Sequence, residues 1–504
     1  MPITYQTTTV LELHHQDNVG VALFDLAPGD VIRVRDEEIQ VIEAVPRGHK
    51  IALMDIAEGE NVVKYGYPIG HAVKPILRGG WVHAHNLKTN LSGKLAYEYH
   101  PSVTRVTSAG DTHPSEFLGY VRENGDVGIR NEIWIINTVG CINKVAERLA
   151  DMANKQFQGD GIDGVFGFAH PYGCSQLGDD LEYTQKALAG LVRHPNAAGV
   201  LVLGLGCENN RIADFSKVVG EVPDKRVKYL SVQGVEDEFE VGLELIEQLV
   251  DYARTFKRQP VPVSKLKIGL KCGGSDGFSG ITANPLVGAV SDLVVAHGGT
   301  ALLTEVPEMF GAETILMNRA KDEDTFHKVV HLIDDFKDYY TRHNQVIYEN
   351  PSPGNKDGGI TTLEEKSLGC TQKGGLSTVV DVLSYAQPAY EHGLNLVQAP
   401  GNDMVSVTAL IAAGAHVVLF TTGRGTPMGG VVPTLKISTN TALYERKPRW
   451  IDLDAGRLLN GTPMQELASE LYRKVIDVAS GKVYAHNEEN GFREIAIFKD
   501  GVTL

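Results

Sequence analysis

The stretch VLVLGLGCENN, residues 200–210, decides the fold class of this 504-residue chain. Its apolar half has the length and composition of a buried strand, and a helical segment follows it. The same order, an apolar strand and then a helix, recurs at IWIINTV (133–139), VFGFAH (165–170) and KIGLKC (267–272). Strands and helices that alternate in this way predict parallel βαβ units, so we expect an α/β protein.

The sequence outside these segments divides the chain into three predicted domains. Residues 1–99 contain short strands separated by turn signals, which predicts a small all-β domain. Residues 100–116 are polar and turn-prone and are predicted to form a linker. We expect a middle α/β domain over 117–260 and a second α/β domain over 261–504, because prolines interrupt the pattern near residue 260.

Composition limits the class of function. The net charge of −16 argues against a protein that binds nucleic acid or an anionic membrane, since both need a basic face. There is no apolar run long enough to span a bilayer and no signal-peptide pattern, and the five cysteines are odd in number and lack a CxxC motif. We therefore expect a cytoplasmic protein with reduced thiols.

Glycine is the residue type in excess. The chain has 54 glycines, about 11% of its residues, against a usual share of about 7%. No collagen-like period or glycine-serine tract explains the surplus, so it is expected in tight turns and in pockets lined by backbone. This favours an enzyme that handles a small ligand.

Cysteines follow four of the predicted strands. In parallel α/β sheets, ligands bind at the carboxyl ends of strands, whereas buried packing is the ordinary alternative for a cysteine. Thiolates suit iron, and carboxylates suit harder cations. The strand-end cysteines are Cys141, Cys174, Cys207 and Cys272. The candidate metal ligands are Cys174, Cys207 and Cys272, with Asp276 and Glu305 as the harder alternative.

Histidines and one lysine are the candidates for proton transfer. His83 and His85 lie in HAHN, and alternation along a strand would point both to one face, as a base and its partner or as metal ligands. A solvated edge strand is the alternative. His170 ends a predicted strand. Lys356 lies in a glycine-rich loop that contains two prolines, and the alternative interpretation of this loop is an exposed connector.

Three further residues are candidates for substrate binding: Ser275, Asn355 and Arg424, the last as a fork for a carboxylate. The charged run from Glu364 to Lys366 is interpreted as a solvated helix face. The sequence has no P-loop, no HExxH motif and no GxGxxG motif that opens a helix. What remains is a metal-assisted reaction on a small polyanionic or polyhydroxylated substrate.

About a dozen ordered motifs resemble those of the altronate/galactarate dehydratase family, and the resemblance covers essentially the whole chain. They include GHKIALMDI (48–56), WVHAHN (81–86), HPYGCSQLGDD (170–180), CGGSDGFSGITANP (272–285) and NPSPGNKDGGITTLEEKSLGC (350–370). The resemblance implies a β-clip N-terminal domain, a middle domain used to form a homodimer, and a C-terminal Rossmann-like domain of unusual connectivity.

The same resemblance implies a hydro-lyase of hexuronate catabolism that depends on Fe²⁺. Its substrate would be the sugar acid D-altronate, and its products 2-dehydro-3-deoxy-D-gluconate and water. Mn²⁺ is an alternative ion, and an iron–sulfur cluster becomes the alternative if three thiolates converge. A dehydratase of another sugar acid such as galactarate, and a sugar-acid sensor without turnover, stay open as alternatives.

Dehydration of such a substrate requires a base for the C2 proton and an acid for the departing C3 hydroxyl. We expect His85 or His170 in the proton-transfer roles, with His83 as the partner of His85. Lys356 would clamp the substrate or replace the base, and Arg424 would hold the substrate carboxylate.

Overall fold

A computed structural model of the chain describes residues 9–35, 37–104, 106–107, 112–157, 159 and 161–501. Residues 1–8 of the first predicted domain, and residues 105 and 108–111 of the predicted linker, lie outside the described residues.

The N-terminal region is made of short antiparallel strands. They form sheets in the orders β1-β2-β5-β8, β3-β4 and β6-β7-β9, and their buried apolar side chains make two small cores. Alternation of exposed and buried residues, as along β3, gives each strand one face toward a core. The strands are β1 (Val10–Leu11), β2 (Val19–Ala22), β3 (Val31–Val34), β4 (Glu37–Gln40), β5 (Lys50–Ala52), β6 (Asn61–Lys64), β7 (Tyr67–Ala72), β8 (Trp81–Val82) and β9 (Leu87–Lys88).

The middle region contains a four-stranded parallel sheet in the order β13-β12-β14-β15, with helices on its faces. All residues of its central strands are buried, as expected when both faces are covered. The elements are β10 (Glu116–Val121), β11 (Val127–Gly128), β12 (Glu132–Asn137), α1 (Asn143–Phe157), β13 (Gly164–Gly167), α2 (Gly178–Arg193), β14 (Ala197–Gly204), α3 (Ile212–Val219), β15 (Val227–Ser231) and α4 (Glu238–Ala253).

A small antiparallel sheet closes this region. Strand β16 (Arg258–Pro262) pairs with β10 along its whole length, so the chain returns to its entry point before the next sheet begins. The boundary predicted after residue 260 falls inside this strand. The proline-rich sequence that suggested a boundary is an edge strand, the position in a sheet where proline is tolerated.

The C-terminal region contains a seven-stranded, all-parallel sheet, which confirms the predicted α/β class. Its elements are β17 (Lys267–Cys272), α5 (Ala283–Ala296), β18 (Thr300–Leu303), α6 (Glu313–Met317), α7 (Glu323–Arg342), α8 (Pro353–Asp357), α9 (Leu363–Cys370), β19 (Val379–Leu383), β20 (Gly393–Val397), α10 (Asp403–Ala412), β21 (Val417–Thr422), β22 (Thr434–Ser438), α11 (Thr441–Arg446), β23 (Leu453–Asp454), α12 (Met464–Ala479) and α13 (His486–Glu489).

The strand order of this sheet is β19-β20-β18-β17-β21-β22-β23. A doubly wound sheet would place β19 directly beside β18, but here β20 lies between them, which is the unusual connectivity that was expected. The chain reverses its direction of winding between β17 and β21. Ligands of open α/β sheets bind outside the carboxyl ends of the strands at such a point, so the end of β17 is where a site is expected.

The middle and C-terminal sheets share one hydrophobic core. Helix α2 packs on α10, and buried residues of both regions belong to a single apolar cluster. Within the described ranges, no helix has the length and apolar character needed to cross a membrane.

The contact between α2 and α10 gives a first prediction. A Cβ atom at Gly190 would lie 2.7 Å from the Cβ of Ala412, closer than real carbon atoms approach. We expect Gly190→Val to lower the melting temperature, and the free energy of unfolding by about 1–3 kcal/mol, because the two helices must separate.

Thermal and denaturant unfolding of both forms measure this effect. Lys186→Val is the matched control, since it places the same side chain at an exposed position of the same helix. Equal melting temperatures for the two variants would show that the helices do not approach this closely.

Candidate active site

The site is built at the reversal point of the C-terminal sheet. Cys272 is the last residue of β17, and the N–H of the next residue, Gly273, donates to the carbonyl of Thr421 in β21 at 3.0 Å. Glu308 lies in a single helical turn after β18, and Cys370 is the last residue of α9. Three separate connections thus deliver two sulfurs and a carboxylate to one place.

The ligand atoms of Cys272, Glu308 and Cys370 all lie within 4.8 Å of one another, and all three residues are buried. The two sulfurs are 3.4 Å apart, and the Cys370 thiol donates to Oε2 of Glu308 at 3.1 Å. Among the described residues, this is the one group of three such side chains close enough to hold a metal ion. Two soft donors and one carboxylate suit iron.

Three buried lysines surround the group. Lys373 donates to the sulfur of Cys272 at 2.9 Å and also pairs with Glu305 at 3.0 Å. Lys366 pairs with Glu308 at 2.8 Å, and Lys271 pairs with both Glu305 and Asp403. The three ammonium groups balance three carboxylates, so the cluster is neutral while both thiols carry their protons.

The electrostatics of the cluster keep Glu308 and Lys366 charged and the Cys370 thiol protonated. Burial alone would raise the pKa of Glu308, but the attraction of Lys366 and its neighbours outweighs burial and lowers the pKa to about 2. Burial alone would lower the pKa of Lys366, and Glu308 reverses this, so the pKa is raised. The hydrogen bond with Cys272, followed by burial, raises the pKa of Cys370 well above its usual value.

The N-terminal β region contributes two more lysines. Lys50 and Lys64 donate to the two oxygens of Glu365 at 2.8 and 2.7 Å, and all three side chains are buried. Lys50 also donates to the carbonyl of Gly359 and to the hydroxyl of Thr361, so its three N–H groups are all used. Burial lowers the pKa of Lys50 to about 8 despite the attraction of Glu365.

A small cavity connects the two charged groups. Lys64, Glu365, Lys366 and Cys370 line it, together with Ser275. Two lysines therefore face the same narrow space as one of the sulfurs. The cavity has a volume of about 10 Å³, which is room for about one water molecule and not for a sugar acid.

Four ring side chains of the β region, His49, Trp81, His83 and His85, form a cluster next to Thr361. The rings of His83 and His85 lie 5.3 and 5.0 Å from that of Trp81, and the indole N–H of Trp81 donates to Nδ1 of His49. His83 and His85 do not lie on a strand. Strand β8 ends at Val82, and residues 83–86 form a turn closed by backbone hydrogen bonds to the carbonyl of His83.

A hydrogen-bond chain determines which nitrogen of His83 carries a proton. Lys50 donates to the Thr361 hydroxyl, and this hydroxyl lies 3.1 Å from Nδ1 of His83. The hydroxyl is thus able to donate to Nδ1, and in that arrangement the proton of the neutral ring is on Nε2. Burial, helped by Lys50, lowers the pKa of His83 to about 4, so the ring is neutral at pH 7.

Three family models match consecutive parts of the chain. They are the altronate/galactarate dehydratase SAF domain over residues 8–90, the D-galactarate dehydratase/altronate hydrolase second domain over 119–254, and the D-galactarate/altronate dehydratase C-terminal domain over 263–503. Altronate dehydratases of Escherichia coli (strain K12) and Bacillus subtilis (strain 168) are each 53% identical to the chain, over 98% of it and 99% of their own length. The chain belongs to the altronate/galactarate dehydratase family. A more distant relative, galactarate dehydratase (L-threo-forming) of Escherichia coli, is 33% identical over 98% of the chain and 97% of its own length.

Five of the predicted residues lie at the carboxyl edge of the C-terminal sheet. Cys272 and Glu305 are in the charged cluster, the amide of Asn355 donates to the carbonyl of Ser275 at 2.9 Å, and its oxygen accepts from Lys366. Arg424 is exposed at the same edge, where its N–H donates to the carbonyl of Gly274. Lys356 follows Asn355 on the short helix α8, so the expected loop is helical there.

The surroundings of His170 are those of a structural residue and do not favour the expected proton-transfer role. It is buried in the middle region, where its Nε2 lies 2.9 Å from the carbonyl of Asn137 and its Nδ1 accepts from the N–H of Tyr172. Both ring nitrogens are therefore committed to the backbone. Burial also lowers its pKa.

Two of the predicted metal ligands, Cys174 and Cys207, do not join Cys272. Both are exposed and follow strands of the middle sheet, whereas Cys272 is buried at the C-terminal sheet. Asp276 is near the site but is no ligand, because the hydroxyls of Ser279 and Thr439, the amide of Asn440 and a backbone N–H already occupy its oxygens.

The charged side chains that dominate the site were not predicted from the sequence. Glu364, Glu365 and Lys366 were interpreted as a solvated face, but every residue of α9 is buried. A helix with charges and no exposed face needs buried partners, and these come from segments 58 to 315 residues away. The one local signal is that Cys370 closes the same segment as these charges.

The Glu365 pairing gives a second prediction. Glu365→Gln leaves Lys50 and Lys64 buried without a counter-charge, so we expect a loss of about 3–5 kcal/mol in the free energy of unfolding. Denaturant unfolding followed by circular dichroism measures it.

Glu364→Gln is the control, because Glu364 is equally buried in the same helix but accepts from the Thr89 hydroxyl and the Asn90 N–H rather than from lysines. It should lose only about 1–3 kcal/mol. An equal loss in both variants would mean that the lysine pairing adds nothing.

Proposed function

We propose that this chain is an altronate dehydratase, which converts D-altronate into 2-dehydro-3-deoxy-D-gluconate and water. The observation that carries the proposal is the 53% identity with two altronate dehydratases over 98% of the chain. The pairing of two buried lysines with the single carboxylate of Glu365 supports it, since a sugar acid brings a negative charge.

Purified enzyme incubated with Fe²⁺ without oxygen tests this function. We expect formation of the 2-keto-3-deoxy product from altronate, and at least tenfold lower kcat/KM with galactarate and mannonate. A preference for galactarate would replace the proposed substrate. Binding of altronate without turnover would make the chain a sensor.

The reaction needs one group to take the C2 proton and another to give a proton to the C3 hydroxyl, which leaves as water. The enol that results becomes the keto acid. We propose His85 as the base, because its ring is exposed and the pKa is lowered by partial burial and by Lys74, which keeps it neutral at pH 7. We propose His83 as the proton donor, since its chain to Lys50 leaves a proton on Nε2.

These roles are separable by experiment. We expect His85→Ala to lower kcat about 10²- to 10⁴-fold, and to abolish exchange of the altronate C2 hydrogen with deuterated water. His83→Gln should lower kcat but keep the exchange, because loss of the C3 hydroxyl follows proton removal.

Because the pKa of His85 is lowered, its ring stays neutral below pH 6.5. We therefore expect kcat/KM to fall on acidification only below pH 6.5. His392→Ala is the control. His392 lines a different pocket, so this variant should change neither kcat nor the exchange of the C2 hydrogen. Retained exchange in His85→Ala would remove His85 from the reaction.

We propose that Cys272, Glu308 and Cys370 hold Fe²⁺. Two thiolates in place of two thiols remove two positive charges, which a divalent ion replaces, so the neutral balance with the three lysines is kept. The soft donors favour iron over Mn²⁺, which prefers oxygen ligands. When bound, the ion would supply Lewis-acid stabilisation of negative charge on the substrate.

Metal content tests this site directly. We expect Cys370→Ser and Glu308→Gln to lower the iron retained per chain at least tenfold after anaerobic loading and desalting. The iron at this site is measured as the iron that is not accompanied by acid-labile sulfide. Cys174→Ser, which changes an exposed thiol elsewhere, should not lower it. Unchanged sulfide-free iron in both cluster variants would place the ion elsewhere.

We also propose a cytoplasmic location and a homodimer formed through the middle region. Unpaired cysteines support the first, and the family resemblance supports the second. Light scattering during size-exclusion chromatography measures the assembly.

A further inference from the structure

The three remaining cysteines lie at one edge of the middle sheet. Cys141 follows β12, Cys174 follows β13 and Cys207 follows β14, and these three strands are neighbours in the sheet order β13-β12-β14. Because the strands are parallel, their carboxyl ends meet at the same edge, and the three connections leave the sheet side by side.

Backbone hydrogen bonds tie these three connections together. The N–H of Gly140, beside Cys141, donates to the carbonyl of Tyr172 at 2.8 Å. The N–H of Asn210 donates to the carbonyl of Gly173 at 3.1 Å, beside Cys174. Each cysteine therefore lies within three residues of a contact with the next connection.

The frame under the cysteines is rigid. A Cβ at Gly173, whose φ is +95°, would lie 2.0 Å from the carbonyl oxygen of Thr138, so only glycine permits this approach. The buried carboxylate of Glu208 accepts from the Thr138 hydroxyl and from the N–H of Gly206 at 2.6 Å each. His170, with both ring nitrogens bonded to backbone, completes the frame.

Packing does not explain these side chains. Cysteine is among the most buried residue types, yet all three are exposed, whereas Cys272 and Cys370 are buried. A polar donor faces one of them, since Nε2 of Gln233 lies 3.6 Å from the sulfur of Cys207. Ser175, next to Cys174, has a φ of +58°, a strained conformation for a residue other than glycine.

The spacing of the sulfurs distinguishes between two kinds of metal centre. Sulfurs on one tetrahedral zinc ion at about 2.3 Å would lie about 3.8 Å apart. Among the described residues, the ligand atoms of this trio are not all within 4.8 Å of one another. In a centre where each sulfur binds a different iron, the three sulfurs lie farther apart than they do on a single zinc ion.

We propose that Cys141, Cys174 and Cys207 bind an iron–sulfur cluster of the [4Fe–4S] type. Each thiolate holds one iron, and the fourth iron has no cysteine ligand and faces the exposed side of the sheet edge. This cluster is separate from the site of Cys272, Glu308 and Cys370, and it uses all three cysteines that the dehydration site leaves unexplained.

Acid-labile sulfide separates this cluster from any other iron in the protein. The full chain is reconstituted without oxygen with iron and sulfide, desalted, and analysed for iron, sulfide, visible absorption and electron paramagnetic resonance after reduction. We expect about four sulfides per chain in the wild type. The variant with all three cysteines changed to serine should lose them, while Cys370→Ser keeps them.

Circular dichroism shows whether the triple variant folds. If it does not, the single variants decide: each should lose sulfide or change the resonance spectrum. Absence of sulfide from the reconstituted wild type, sulfide unchanged in the variants, or zinc bound by the trio without sulfide would each overturn the proposal. Because sulfide is measured without altronate, a chain that holds the cluster but shows no turnover would contradict only the proposed function.

Discussion

The pairing of Glu365 with Lys50 and Lys64 is the interaction on which the rest of the site depends. Moving three charged groups out of water costs several kcal/mol for each ion, and only close pairing offsets it. The carboxylate comes from α9 and both lysines come from the β region, so neither part satisfies its own charges. The β region is therefore held in one position over the sheet edge, with the His83 ring beside Thr361.

The same arrangement of charges continues toward the sheet. Lys366 follows Glu365 directly and pairs with Glu308, and Lys271 and Lys373 pair with Glu305. The lysines and acids of this inner cluster balance, whereas two lysines share Glu365, so the cavity between them has excess positive charge. This excess of positive charge favours the binding of an anion. A metal cation is favoured there only if the thiols of Cys272 and Cys370 lose their protons.

The two parallel sheets use the same geometric principle for different purposes. At the middle sheet three adjacent strands lead to cysteines at the carboxyl edge, whereas at the C-terminal sheet Cys272 ends β17 and Cys370 ends α9. At the C-terminal sheet, helix α9 and the β region cover the edge, so Cys272 and Cys370 are buried among charges. At the middle sheet the described residues leave Cys141, Cys174 and Cys207 exposed, on a frame of backbone contacts. The same residue type thus lies in two different environments, buried among charges in one sheet and exposed in the other.

The sequence by itself determined what depends on local pattern. Strand and helix alternation predicted the α/β class and the all-β N-terminal region, and ordered motifs predicted the family. Strand ends singled out Cys272 and Glu305, which the structure places in one charged cluster, because the carboxyl edge of a parallel sheet follows from chain direction alone. Tertiary structure decided the rest: it grouped Cys272 with Cys370 rather than with Cys174 and Cys207, and it buried Glu365, which looks solvent-exposed in sequence. The partners of these side chains are distant along the chain, and a buried charge is recognisable only when its counter-charge is in place.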